Sequence, residues 1–145
     1  MSRILTVLML CLIALGCATG GAGNAQVSST DPEAVLNKTW QWTVISGPQH
    51  DVAVIGPERY TIFLADGRAQ VKFDCNGGGG TYEISRGRLS FGPMMSTKMF
   101  CRDSQDIIFA DNLQNASSFK VEDGVLYLTL ADNQTIMQFR QAPNE

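Results

Sequence analysis

Residues 74–82 read "DCNGGGGTY" and place four consecutive glycines directly after a Cys-Asn pair. A phosphate-binding loop would continue with Lys and Ser or Thr into a helix, or would space its glycines as Gly-x-Gly-x-x-Gly between a strand and a helix. Here the glycines run into Thr81-Tyr82-Glu83-Ile84, which is typical of a β-strand. We therefore predict a structural role for residues 77–80, which would permit positive φ or close backbone approach at a bend or bulge, rather than a ligand cradle.

Strand-like runs lie on both sides of this segment and are joined by short turn signals. Asp66-Gly67, Arg86-Gly87 and Asp123-Gly124 each separate two runs rich in β-branched and aromatic residues, a pattern typical of two-residue hairpins. Near the start of this region Trp40 and Trp42 lie two positions apart, and hence on one face of a strand. The pattern predicts about eight strands.

One segment breaks the alternation and predicts a helix. Between residues 103 and 113 apolar side chains recur near helical spacing, at Ile107, Ile108, Ala110 and Leu113. Asp103 or Ser104 can cap the start of this helix, and we expect it to end near Asn115. The predicted fold is mainly β with one helix (α+β): a small antiparallel β-barrel-like domain, closed or nearly closed, whose helix covers an opening or an edge.

The N-terminus has the pattern of an export signal. Arg3 precedes an apolar run over residues 4–15, which at about a dozen residues is short for a bilayer span. The run ends in Ala14-Leu15-Gly16-Cys17, which resembles a bacterial lipobox. We predict a lipoprotein signal peptide over residues 1–16 and lipidation of Cys17. The alternative is ordinary secretion, with cleavage near Ala18 or Ala22.

The signal is followed by small and polar residues, which predict a flexible tether over residues 17–34 and a folded domain over residues 35–141. Ala18, rather than Asp, follows Cys17, which favours sorting to the outer membrane over retention at the inner membrane. We therefore expect a lipid-anchored protein of the cell envelope, located at the outer membrane and facing the periplasm.

Four cysteines occur in the chain, and two of them are assigned to the N-terminus: Cys11 to the signal and Cys17 to the anchor. Cys75 and Cys101 remain as an even pair in an oxidising compartment, which favours a disulfide. By closing a loop in the unfolded chain, this bond would stabilise the folded state by roughly 3.5 kcal/mol on the chain-entropy model. Two free buried thiols, a zinc site and a redox pair are the alternatives; zinc would need two further ligands, and His50 is the sole histidine.

The charge and the chemically reactive residues exclude some classes of function. The formal net charge is −3 and no basic stripe occurs, so we expect no nucleic-acid partner. His50 lies in a loop-like run, Gly47-Pro48-Gln49-His50-Asp51, and no nucleophile–base pair can be assigned. We expect no enzymatic activity, no metal and no cofactor.

Three motifs in order identify a family resemblance. Cys75-Asn76, then Gly80-x-Tyr82, then Thr97-x-Met99-x-Cys101 resemble the META/HslJ-like domain. Leu89-Ser90-Phe91-Gly92 also fits that family, as does Trp40 near the start. The resemblance implies a small β-barrel-like fold with a helix, found in bacterial envelope lipoproteins, and a structural part for Asn76, Gly80, Tyr82, Thr97 and Met99.

The family also sets expectations about function. Its members are linked to heat shock, to novobiocin tolerance and, in protozoa, to virulence, and no catalytic residues are established for it. One departure from the family pattern is Gly78, which stands where relatives usually carry an aromatic residue.

An apolar cluster provides the remaining candidate site: Phe91, Met94, Met95, Met99 and Phe100. These residues would either pack in the core or form the wall of a hydrophobic pocket or a partner surface. Two hypotheses follow. The first is a non-enzymatic, membrane-tethered envelope protein that supports stress or antibiotic tolerance, or envelope assembly, with a protein partner. The alternative is a binding module for a lipid or other hydrophobic ligand.

Overall fold

The computed structural model describes residues 27–48 and 51–143. The predicted signal over residues 1–16, the predicted lipidation site Cys17 and His50 lie outside the described residues. Within the described part, no helix has the length and apolar character needed to cross a membrane.

Eight antiparallel strands close into a barrel with one helix. The elements, in chain order, are β1 (Ser28–Ser29), β2 (Thr39–Ser46), β3 (Asp51–Ala53), β4 (Tyr60–Ala65), β5 (Arg68–Phe73), β6 (Asn76–Ser85), β7 (Arg88–Ser96), α1 (Asp106–Gln114), β8 (Ala116–Glu122), β9 (Val125–Leu130) and β10 (Ile136–Gln141). Around the barrel the strands follow the order β2-β4-β5-β6-β7-β8-β9-β10, and β10 pairs with β2 to close the ring. The predicted fold class is confirmed.

The hairpins form where the sequence predicted them. Asp66 and Gly67 have φ of 49° and 73°, and Asp123 and Gly124 have φ of 50° and 78°. Positive φ at both central residues gives a turn whose twist matches that of the strands, which is why Asp-Gly suits these positions. Strands β4, β5 and β9 alternate buried residues with more exposed ones, so one face of the sheet fills the barrel.

The interior is filled by large side chains. Trp40, Trp42, Tyr60 and Phe139 are each at most 1% exposed. The indole N–H of Trp40 donates to the carbonyl oxygen of Val35 at 2.9 Å, so the polar atom of this buried ring is satisfied. Burial of such rings removes a large apolar area from water and supplies much of the driving force for folding.

Helix α1 covers one opening of the barrel. β7 and β8 pair at a single position, Arg88 with Ser118. Phe109 of α1 enters the barrel at this end and contacts Trp42 and Phe139 on the opposite strands. The side-chain amide of Gln114 donates to the carbonyl oxygen of Gly92 at 2.8 Å, which joins the helix to β7. The helix therefore covers an opening, as predicted.

The buried face of α1 includes only part of the predicted apolar set. Phe109 and Leu113 are fully buried, whereas Ile107 and Ile108 are 72% and 43% exposed. Phe109 stacks on Trp42 with ring centroids 5.1 Å apart and also contacts other core aromatic rings. Phe109 and Leu113 are four residues apart and share one face, whereas Ile107 lies about 200° away from Phe109 around the helix axis.

The start of the helix differs from the prediction, and its end agrees with it. It begins at Asp106, later than Asp103 or Ser104, because Asp103 has φ of 53° and cannot continue a right-handed helix. Ser104 nonetheless serves the start of the helix, since its hydroxyl oxygen accepts the Asp106 N–H at 3.2 Å. The end at Asn115 is as predicted.

The domain begins earlier than residue 35, so the predicted tether over residues 17–34 is too long. Ser28 and Ser29 pair with Glu122 and Val121 of β8, and residues 32–34 form a 3₁₀ turn. Small polar residues cannot build a core, but their backbone can still hydrogen-bond to a strand edge. Composition alone therefore missed this addition to the sheet.

The barrel has two distinct ends. The hairpin end carries the turns at residues 66–67, 86–87 and 123–124, and the described chain begins there, where the Asp123 N–H donates to the carbonyl oxygen of Val27 at 3.1 Å. The helix end carries α1 and the loop of residues 97–105 that leads into it. Cys75, Asn76, Thr97, Met99 and Cys101 lie at the helix end. Trp40 and Leu89 lie towards the hairpin end, near the start of β2 and just after the turn at residues 86–87.

Candidate functional site

The four glycines lie inside β6 and not in a turn. Residues 77–80 pair with β5 on one side, and residues 78–80 pair with β7 on the other. A Cβ at Gly78 would lie 2.0 Å from the Met95 carbonyl oxygen, and one at Gly80 would lie 2.5 Å from that of Pro93. A register shift between Gly80 and Tyr82 marks a bulge. The predicted close approach and bulge are present, and the turn itself lies earlier, at residues 74–75.

Asn76 binds the loop that leads into α1. It is 4% exposed, and its side-chain oxygen accepts the Met99 N–H at 2.7 Å and the Thr97 hydroxyl at 2.9 Å. Its amide nitrogen donates to the Met99 carbonyl oxygen at 3.0 Å and contacts the sulfur of Cys101 at 3.4 Å. We call Asn76, Thr97 and Met99 the asparagine clasp. The clasp satisfies a buried amide completely and fixes the loop against the barrel.

A disulfide joins the same two segments. Cys75 and Cys101 are bonded, with their Cα atoms 5.9 Å apart. The predicted bridge is therefore present, and the zinc, redox-pair and free-thiol alternatives are not needed to explain these cysteines. No group of three or more His, Cys, Asp or Glu side chains that could hold a metal occurs within residues 27–48 and 51–143. The loop of residues 97–101 is thus held by both a covalent bond and the clasp.

An ion pair lies beside the disulfide. The guanidinium of Arg59 donates to the carboxylate of Asp74 through both Nε, at 2.6 Å, and Nη2. Asp74 is 6% exposed and has φ of 64°, so it makes the sharp turn before Cys75. The hydrogen bond from Arg59 lowers the pKa of the Asp74 carboxyl, against the opposing effect of burial, and raises the pKa of Arg59. The sequence contains no pattern that would have paired these two residues.

Tyr60 connects the ion pair to the helix. It is fully buried, and its hydroxyl oxygen accepts the Gln105 N–H at 2.7 Å. The hydroxyl lies 3.4 Å from that of Ser104. Gln105 in turn accepts the Ile55 N–H at 2.9 Å through its side-chain oxygen. The polar groups of Tyr60 and Gln105 at the start of α1 are therefore already hydrogen-bonded within the fold.

The predicted apolar cluster divides into two parts. Phe91 is buried and Met94 packs half-buried against the core, so these two fit the core-packing interpretation. Met95, Met99 and Phe100 are 81%, 58% and 91% exposed, so for them that interpretation is wrong. Asn76 of the clasp binds the backbone of the loop at Met99, and the side chains of Met99 and Phe100 are left outside the barrel.

Met99 and Phe100 meet the exposed face of α1. With Ile107 and Ala110 they line a surface groove of about 530 Å³ between the loop and the helix. Lys98 lies on one wall of this groove, and Asp106 and Asp111 lie on the other. We call Met99, Phe100 and Ile107 the Met–Phe patch. Sequence reasoning placed Met99 and Phe100 in the candidate apolar cluster, and named Ile107 only among the apolar residues of the predicted helix.

Comparison with known proteins identifies the family. A model of the META domain matches residues 33–143. The chain belongs to the META domain family. A search of curated proteins gives no match.

Solved structures share this META fold at low sequence identity. A protein from Burkholderia xenovorans solved by NMR has 20% identity and a TM-score of 0.65, covering 77% of this chain and 86% of that one. A DUF4847 family protein from Bacteroides vulgatus has 16% identity and a TM-score of 0.59, covering 78% and 98%. Another protein solved by NMR has 18% identity and a TM-score of 0.51, covering 74% and 92%. At such identities the likeness concerns the fold alone.

The clasp gives a physical meaning to the family motif in this META domain. Asn76 follows one bridged cysteine, and Thr97 and Met99 precede the other. Tyr82 is buried on the inner face of β6. At Gly78, where the family usually has an aromatic residue, β7 approaches so closely that no side chain fits without a backbone shift. The motif residues therefore hold the fold together.

Proposed function

We propose that this META protein is a non-enzymatic envelope lipoprotein that acts by binding another protein at the Met–Phe patch. In this proposal it is anchored at Cys17 to the outer membrane, faces the periplasm, and supports stress or antibiotic tolerance or envelope assembly. The observation that carries the proposal is Phe100, a side chain 91% exposed on a loop that the clasp and the disulfide hold rigidly.

Because the loop is fixed, the Met–Phe patch can bind a partner with a small loss of conformational entropy. An exposed aromatic side chain on a mobile loop would lose conformational entropy on binding, whereas a fixed one loses little. Aromatic and methionine side chains are enriched at protein interfaces, where a few buried anchors carry most of the affinity. Phe100, flanked by Met99 and Ile107, supplies such an anchor.

The position of the patch favours a protein over the anchoring membrane. The described chain begins at the hairpin end, and Val27 is ten residues after Cys17, a distance of at most about 35 Å when extended. The anchor would thus attach at the end opposite the patch. The patch is also bordered by Lys98 on one side and by Asp106 and Asp111 on the other. An anionic lipid surface would be repelled by the carboxylates, whereas a protein can match both signs.

A binding role also agrees with the buried polar groups. Among the described residues, Asp74 and Asn76 are the buried polar side chains. Asp74 is held by Arg59, and Asn76 is fully occupied by the clasp. Neither is free to act as a base or a nucleophile.

The test is complementation of a deletion strain under heat and antibiotic stress. We expect the wild-type gene and Val27→Ser to restore growth, and Phe100→Ser and Cys17→Ala to fail. Val27 is the matched control, because it is 72% exposed and apolar but lies at the hairpin end. Normal growth of the deletion strain under both stresses, or rescue by Phe100→Ser, would contradict the proposal.

The groove beside α1 supports a second candidate function, a site for a hydrophobic ligand. The barrel interior is filled by side chains, but the groove offers about 530 Å³ lined by Met99, Phe100 and Ile107. A fatty acid that binds only the folded state must raise the melting temperature. We expect palmitate to raise it in the wild type but not in Phe100→Ser. An unchanged wild-type melting temperature would exclude this candidate.

A further inference from the structure

A second surface lies on the outer face of the barrel, away from the Met–Phe patch. The registers of β2, β4 and β5 place Thr39 beside Phe63 and Phe63 beside Gln70. In the next row Gln41 lies beside Thr61 and Thr61 beside Lys72. We call these six residues the Phe63 platform. They alternate with the inward side chains of the same strands, so all six project outward.

The platform is the floor of an elongated groove. Two depressions of about 790 and 590 Å³ share Thr39, Phe63 and Lys72 and are therefore continuous. One depression extends to Gln141, and the other to the backbone of Gly77. The groove thus crosses several strands, which suits an extended ligand more than a compact one.

The chemistry of the platform combines an aromatic ring with free amides. Phe63 is half-exposed at the centre of the groove. The side-chain amides of Gln41, Gln70 and Gln141 make no hydrogen bond to any of the described residues. Each glutamine offers two donors and one acceptor. A site that combines an apolar surface with a few orienting polar groups is the usual form of a small-ligand site.

The charges narrow the class of ligand. Lys38 and Lys72 line the groove together with Glu58, so its net charge is small. The ammonium of Lys72 donates to the carbonyl oxygen of Glu58 at 3.2 Å, and that of Lys38 donates to the Ala34 carbonyl oxygen at 2.8 Å. A nucleic-acid strand would need a stronger positive track along its phosphates. A lipid would leave the polar amides unsatisfied.

We propose that the Phe63 platform binds a glycan strand. A sugar ring presents C–H groups on its face, which match the negative face of the Phe63 ring. Its hydroxyl and acetamido groups lie at its edge, where Gln41 and Gln70 can donate and accept hydrogen bonds. Lys72 retains further N–H donors for a carboxylate on an acidic sugar. This site lies on a different face from the Met–Phe patch and does not depend on the protein partner proposed there.

The test measures binding of two glycans to the purified full-length protein by calorimetry. The probes are neutral chitohexaose and an acidic hexamer of galacturonic acid. We expect both to bind and Phe63→Ala to weaken both by about tenfold, the loss expected for one aromatic contact. Lys72→Gln should weaken the acidic probe only. Ile55→Ala is the control, because this apolar side chain is 67% exposed and does not line the groove. It should bind both probes like the wild type.

A second variant keeps the test decisive if Phe63→Ala loses its fold. The double variant Gln41→Ala with Gln70→Ala changes two outward-facing amides, one half-buried and one exposed, without touching the core. It should also weaken both probes. Lack of binding of either glycan to the wild type would overturn the proposal. Unchanged affinity for both glycans in Phe63→Ala and in the double glutamine variant would also overturn it.

Discussion

Asn76 uses both ends of its side-chain amide on one loop, which makes it the residue on which the family motif depends. Replacing it with Ala would leave the Met99 N–H and carbonyl oxygen without their partners. We expect Asn76→Ala to lower the free energy of unfolding by about 3 kcal/mol, measured by urea denaturation. Asn112→Ala is the control, because it removes a single exposed bond to Ile108 and should change stability by less than about 0.5 kcal/mol. Equal losses of unfolding free energy in the two variants would show that the clasp stabilises the fold no more than one exposed hydrogen bond does.

Asp74 predicts a specific dependence of stability on pH. Its pKa in the folded protein lies below the ordinary value of 3.8, because Arg59 hydrogen-bonds to the ionised carboxylate. The stabilisation is therefore fully present above the unfolded-state pKa and is lost as the pH falls through the folded-state pKa. We expect the wild type to lose its stability advantage over Asp74→Asn as the pH falls from about 5 to about 2.

Arg59→Met provides the check on this explanation. It removes the partner and leaves the carboxyl group in place, so the pKa of Asp74 should rise towards its ordinary value or above it. The unfolding free energy of this variant, measured over the same pH range, should lack the acid-dependent loss that we assign to the pair. A constant difference between the wild type and Asp74→Asn at every pH would refute the assignment.

At the scale of elements, one aromatic side chain makes the largest packing contact between α1 and the barrel. Phe109 is fully buried among Trp42, Tyr60 and Phe73, whereas Ile107 on the same helix is 72% exposed. We expect Phe109→Ala to lower the free energy of unfolding by about 4 kcal/mol, as for other buried phenylalanines. Ile107→Ala should stay within about 0.5 kcal/mol of the wild type. The reverse order in a denaturation experiment would mean that the helix packs by the face first predicted.

The elements also show what sequence can predict. The strands and hairpins were predictable because Asp66-Gly67 and Asp123-Gly124 encode their turn type locally. The disulfide was predictable because it connects the two cysteines outside the N-terminal region. The buried face of α1 was not, since Ile107, Ile108 and Leu113 suit a helix as well as Phe109 does. Which of them faces inward depends on where the clasp and Asp103 place the start of the helix.

The Arg59–Asp74 ion pair, the Met–Phe patch and the Phe63 platform could not be predicted from the sequence, because each depends on contacts between distant residues. Arg59 and Asp74 are fifteen residues apart and meet because β4 and β5 pair along their length. The exposure of Phe100 depends on a loop that is bonded through its backbone, which no periodicity reveals. The Phe63 platform consists of residues that look like ordinary outward positions until the registers of three strands place them together.

At the scale of the whole molecule, the two proposed surfaces are separate and can be disabled one at a time. The Met–Phe patch lies at the helix end, and the Phe63 platform lies on the barrel wall. Phe100→Ser should remove the function of the patch and leave glycan binding intact, and Phe63→Ala should do the opposite. A protein that bound a partner at one surface and a glycan at the other would connect the two within the envelope.

The most direct test of the central claim is photo-crosslinking in the native host from position 100. A photoreactive phenylalanine analogue at this position places the reactive group where the Phe100 ring is exposed, and the same analogue at position 27 serves as the control at the hairpin end. We predict a discrete protein adduct from position 100 and none of the same mass from position 27. Adducts to lipid alone, the same adducts from both positions, or none from position 100 would contradict a protein-binding role for the Met–Phe patch.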